Sequence, residues 1–219
     1  MFPIEQALEY LVHFLVWPTF FMLALALFRI RLQQYVLPIV VSTCILAPTA
    51  TLLQASKLIY LITIIQPLVF LLCLMVVFRF KFFHSIIMLG LVYIYNIFLE
   101  VSYNVVVAQF DYEKFLQISK DEYIMQGIFM AIINYLTIYI IIKARWGFTF
   151  ISPRISKIRS GTLNIQNKLY LSAMVIIFPL SMIGLSLYLW SELLVVVLSA
   201  TSIILAVVIH FSYKRELLD

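Results

Sequence analysis

Asn96, Glu100 and Asn104 stand four residues apart in the apolar run from Ser85 to Val107, with Tyr93 and Tyr103 beside them. Residues at that spacing share one face of a helix, so a carboxyl and two amides form a polar stripe on an otherwise apolar rod. The chemistry open to such a stripe is reversible. The carboxyl can exchange a proton or meet a cationic ligand, and the amides can donate and accept hydrogen bonds around it. A carboxyl at membrane depth should face protein or water, and it is expected to stay uncharged until water or a cation reaches it, which makes Glu100 the leading site residue. The same residue types also hold neighbouring membrane helices together with no ligand involved, and both readings stand at this level.

Other polar residues are placed to join that stripe. Glu9 and His13 repeat the four-residue spacing in the first apolar run, Gln66 lies inside the third, and Gln126 and Asn134 lie in the fifth. Motifs for covalent or metal chemistry are missing. The chain has no H-E-x-x-H, no Walker loop and no G-x-S-x-G, and its three histidines are scattered, with His84 and His210 at helix ends. Cys44 and Cys73 lie in apolar runs with no C-x-x-C or metal-ligand cluster, so both read as buried apolar fillers. The expected protein is not an enzyme and needs no cofactor or metal.

The elements that would position these residues are apolar runs of membrane length. The 219 residues are 64% hydrophobic and only 11% charged, where soluble domains run near ~25% charged, so this much apolar surface has to face lipid. The runs are Ala7 to Phe28, Tyr35 to Leu53, Leu58 to Phe78, Ser85 to Val107, Tyr123 to Ile142, Leu169 to Leu189 and Leu193 to Phe211. Each is near the ~20 residues that a bilayer core requires. The expectation is an all-α polytopic helix bundle in one transmembrane domain over residues 1–219, with seven spans and six to eight within reach of the pattern. Glu5 and Glu9 are the only charges before Arg29, so the first run lacks the basic flank of a secretory signal and is expected to remain as a membrane helix. Pro18 should kink its helix without ending it, and Pro67 lies inside the third run.

Basic residues give the orientation. With the N-terminus outside and the C-terminus cytoplasmic, all 15 Lys and Arg except Lys57, Lys114 and Lys120 fall on the inner side, as the positive-inside rule requires. The first, third and fifth runs all end in a basic-x-basic pair, Arg29-Ile30-Arg31, Arg79-Phe80-Lys81 and Lys143-Ala144-Arg145. Arg145, Arg154, Lys157 and Arg159 fill an inner loop with no acid, which reads as contact with anionic lipid or a partner and not with nucleic acid. In this orientation Gln66 lies about 12 Å and Glu100 about 10 Å below the outer helix ends, too deep for an interfacial residue. A polar cavity opening outward is therefore expected, with Glu100, Asn96, Asn104, Tyr103, Gln66, Glu9 and His13 as candidate ligand contacts.

Seven apolar helices, an outer N-terminus and a basic exit from the last run, His210 to Asp219, resemble the membrane sensor half of Gram-positive peptide-pheromone receptor histidine kinases of the accessory-gene-regulator type. The layout also resembles small polytopic membrane proteins of spore-forming Firmicutes. The first resemblance implies an extracellular peptide or small-molecule ligand at the outer face and a membrane or cytoplasmic signalling partner. No residue here can take that family's phosphoacceptor or ATP-binding role, so kinase activity is not implied. The functional expectation is a plasma-membrane protein that senses or relays an extracellular signal. A small-solute carrier or transporter subunit, or an accessory protein packed on another membrane protein, are the alternatives.

Overall fold

The computed structural model describes residues 4–55, 59–109, 111, 113–115, 118, 123–148 and 203. Among the described residues the chain is all helix and turn, with five long helices. These are α1 (Ile4–Leu27), α2 (Val36–Ala55), α3 (Ile59–Val76), α4 (Phe82–Val107) and α5 (Tyr123–Ala144). Four of the five, all but α3, are long and apolar enough to cross a membrane. In α3 the apolar stretch Ile64–Val76 is shorter than a span. The sixth run, the seventh run apart from Ile203, and the inner loop with Arg154, Lys157 and Arg159 lie outside the described residues.

The helices form where the apolar runs predict them and continue through their prolines. Pro18, Pro48 and Pro67 sit inside α1, α2 and α3. A proline frees a carbonyl one turn back, so the local backbone needs other donors. After two of these prolines a threonine turns its hydroxyl back onto the helix, bonding a carbonyl next to the kink and not the one that the proline frees at Phe14 or Cys44. Thr19 Oγ1 donates to the Val16 carbonyl at 2.7 Å and Thr49 Oγ1 to the Leu46 carbonyl at 2.8 Å.

Helix α1 is the centre of the bundle: it packs on α2, α4 and, most extensively, α5. Its Phe21, Leu23, Ala24 and Leu25 are fully shielded. A ladder of rings ties the ends of α1, α2 and α3 together, Phe21 to Phe70 at 4.4 Å, Phe21 to Phe78 at 5.2 Å and Phe78 to Tyr35 at 5.7 Å. The end of α5 meets the end of α1 where the Phe148 amide donates to the Leu27 carbonyl at 2.7 Å. These contacts put the termini of α1, α3 and α5 at one end of the bundle.

The outer faces remain apolar. Ile64, Leu68, Leu72 and Val76, four apart along α3, are all more than half exposed, and Leu37, Val40 and Leu52 on α2 match them. In water such stripes would aggregate, whereas in a bilayer they are the surface that meets acyl chains. Cys44 departs from its expected burial: it is exposed on this face of α2, while Cys73 is buried as expected. The sequence of α2 is apolar all round, so it carries no amphipathic signal to show which side faces inward.

The segment after α4 is less purely a polar loop than its charges suggest. Asp111 accepts the Glu113 amide at 3.0 Å and starts a helical turn that includes residues 113–115. That turn plants Phe115, 2% exposed, against Ile97, Val101 and Val105 of α4. The segment thus folds over the end of α4 opposite the arginines.

Candidate functional site

The stripe on α4 turns toward protein. Asn96 and Asn104 are buried and Glu100 is half-buried. Burying an amide or carboxyl is tolerable only with hydrogen-bond partners, and the neighbouring helices supply them at two levels.

At mid-helix, Asn134 of α5 donates from Nδ2 to Asn96 Oδ1 at 2.8 Å and to Thr19 Oγ1 of α1 at 3.0 Å. Asn96 Nδ2 in turn donates to its own helix at the Val92 carbonyl, 2.8 Å away. Three helices thus meet through one buried amide, and the Asn134 carbonyl oxygen is left without a hydrogen-bond partner. A second link between α4 and α5 joins the Tyr95 hydroxyl to Thr137 Oγ1 at 2.6 Å.

Toward the Phe115 end, the buried Gln126 of α5 reaches the Glu100 carboxyl. Its Nε2 makes no hydrogen bond of regular geometry, so this contact is looser than those of Asn134. Glu100 is therefore held on one side by a neutral amide and keeps part of its surface open. Tyr103 packs its ring on Phe129 of α5 at 4.9 Å and closes the seam beside it.

In the other direction the seam continues to Tyr93, whose hydroxyl is buried with no hydrogen-bond partner. Cys73 of α3 lies next to it, and Ser42 of α2 lies against the Cys73 thiol. Tyr93, Asn96, Glu100 and Asn104 are spaced by three or four residues, so one face of α4 carries polar groups over about 16 Å at the helical rise.

The structure thus unites Asn96, Glu100 and Tyr103 on the α4–α5 boundary and buries Asn104 on the same helix. His13 is buried and Glu9 half-buried on the first turns of α1, and Gln66 is half-buried in α3. Thr19, Tyr95 and Thr137 are members that the sequence did not single out, because single hydroxyls in apolar helices are common and nothing in spacing pairs them. Arg145 is exposed at the far end of α5. The described residues contain no cluster of three or more His, Cys, Asp or Glu that could hold a metal. No known protein family, curated protein or solved structure matches the chain.

Proposed function

We propose that the chain is a non-catalytic, seven-span plasma-membrane protein with its N-terminus outside, which senses or relays an extracellular signal through the polar seam of α4. The observation that carries this reading is the asymmetry of the seam. The Asn134 amide is locked to two helices at mid-depth, while Glu100 nearer the end keeps a minor part of its surface exposed and is loosely held by Gln126. A cationic or hydrogen-bonding ligand, a peptide or a small molecule, would meet Glu100 from outside. It would compete for Gln126 and bias the packing of α5 on α4. A ligand shifts such an equilibrium only by its differential affinity for the two packings, and a loose contact next to a tight lock is where that difference can be made.

A carrier of the broken-helix type is the weaker reading, since those proteins unwind helices at a midplane site. Here α1, α2 and α3 run helical through Pro18, Pro48 and Pro67.

Sided thiol labelling tests the reading. Glu100→Cys in a Cys44→Ala background is exposed to a membrane-impermeant cationic methanethiosulfonate, in intact cells and in inside-out vesicles, with the Cys44→Ala parent as control. The sensor reading expects modification from outside only. Modification from both sides would point to a carrier, modification from neither to a merely packed accessory protein, and either result overturns the proposal.

A further inference from the structure

Along the α4 seam, Gln126 Nε2, Asn134 Oδ1, the Tyr93 hydroxyl and Ser42 Oγ are buried with no hydrogen bond of regular geometry. A buried donor or acceptor left unmade is costly, so native structures keep few of them and each needs a physical reason. These four are not scattered. Gln126 stands at the level of Glu100, Asn134 at that of Asn96, Tyr93 three residues further along α4, and Ser42 beyond it against Cys73.

The protein's own groups do not satisfy them by rearranging. Turning the Asn134 amide over would set its oxygen against Asn96 Oδ1, itself an acceptor, and would break both bonds that its nitrogen donates. Serine and threonine inside a helix ordinarily return the hydroxyl to a carbonyl of the same helix, as Thr43 does to Ile39 at 2.8 Å and Thr51 to Ala47 at 2.9 Å on α2. Ser42, fully shielded beside Thr43, does not. Its neighbour across the interface is the Cys73 thiol, a weak donor and a weak acceptor, and Tyr93 shares that neighbour.

The spacing suits water. Glu100, Asn96 and Tyr93 follow one another along the axis of α4 at about 6 Å and about 4.5 Å. One water bonded at about 2.8 Å on each side bridges groups roughly 5–6 Å apart. The side chains around these levels, Thr19, Ala131, Ser42 and Cys73, are short and buried, the polar setting in which water sits between helices. Only one end is open. Glu100 keeps part of its surface exposed, while just beyond Cys73 the Phe78 ring, 4% exposed, is stacked between Phe21 and Tyr35 and closes the other end with apolar surface.

We infer that the α4 seam binds a file of internal water that enters beside Glu100, bridges Asn134 and Tyr93, and ends at Ser42 and Cys73. The file is blind, so it hydrates the interior of the bundle without joining the two sides of the membrane. It rests on these four groups and not on a ligand at Glu100 or on the side that Glu100 faces, so its failure and the failure of the sensing role are separate results.

The test is hydrogen exchange at the Cys73 thiol, in a Cys44→Ala chain reconstituted in phosphatidylcholine bilayers, read as growth of the S–D stretching band after hydration with D2O. The file predicts complete exchange within minutes. Asn134→Leu removes the mid-seam acceptor and should slow exchange about tenfold, the scale of one buried hydrogen bond, and Tyr93→Phe, which removes only a hydroxyl, should slow it in the same direction. The sign discriminates, because D2O arriving by opening of the bundle would reach the thiol faster in a destabilised Asn134→Leu chain. A thiol that stays S–H for hours in the parent chain, or exchange no slower in either variant at parental helicity, overturns the inference. If Asn134→Leu loses helicity, Tyr93→Phe alone decides.

Discussion

Asn134 is the residue on which the helix contacts of the seam turn, because its one amide nitrogen serves both α1 and α4. Hydrogen bonds between membrane helices contribute modestly, about 0.6 kcal/mol on average and up to about 1.7. Asn134→Leu removes two of them and strands Asn96 Oδ1 in a buried site. The expected loss is roughly 1–2 kcal/mol, read by reversible unfolding in mixed detergent micelles. Glu100→Gln should leave stability within about 0.5 kcal/mol, because an amide can take the carboxyl's place opposite Gln126, whereas Glu100→Leu should lose about 1 kcal/mol. If Asn134→Leu unfolds like wild type, the three-helix junction contributes no stability. If Glu100→Gln is as damaging as Glu100→Leu, the carboxyl has a structural role that the loose Gln126 contact does not predict.

Among the elements, the joint between α1 and α5 is set by Gly147. Its φ is +132°, and a Cβ there would stand 2.7 Å from the Leu27 carbonyl oxygen, the same atom that accepts the Phe148 amide. Gly147→Ala must strain the backbone or push the chain off α1, a cost of about 1–3 kcal/mol. Trypsin should then cut faster after Arg145, and an unchanged cleavage rate and unfolding midpoint would contradict the close approach. The five helices were legible in sequence to within a few residues, because each is an apolar run bounded by charged or turn residues. The stripe of Asn96, Glu100 and Asn104 was legible too, since four-residue spacing fixes a face. Its partners were not. Asn134 and Thr19 are 115 residues apart and meet only through packing. The left-handed residues at four helix ends, Arg29, Arg79, Gln109 and Arg145, gave no signal, because none is the glycine that such a turn selects. Phe115 was hidden in a charged stretch, although it is one of the largest fully buried side chains.

At the scale of the whole molecule, the ends of the bundle differ in charge. Six exposed cations surround the ends of α1, α3 and α5, and the described acids lie toward the other end, where the seam carries Glu100. A bilayer placed around the apolar stripes then has a basic rim and an acidic rim, and the proposed orientation has the basic one in the cytoplasm, in keeping with the positive-inside rule. The proposed outward site on α4 depends on that placement more than on any single contact. Sided reporters fused after Gln34, Phe115, Ser160 and Asp219 measure it directly, using alkaline phosphatase for exported positions and a fluorescent protein for internal ones. The account predicts internal, external, internal and internal signals in that order. An external signal after Gln34 with an internal one after Phe115 would turn the bundle over, close Glu100 to extracellular ligands and contradict the proposed function.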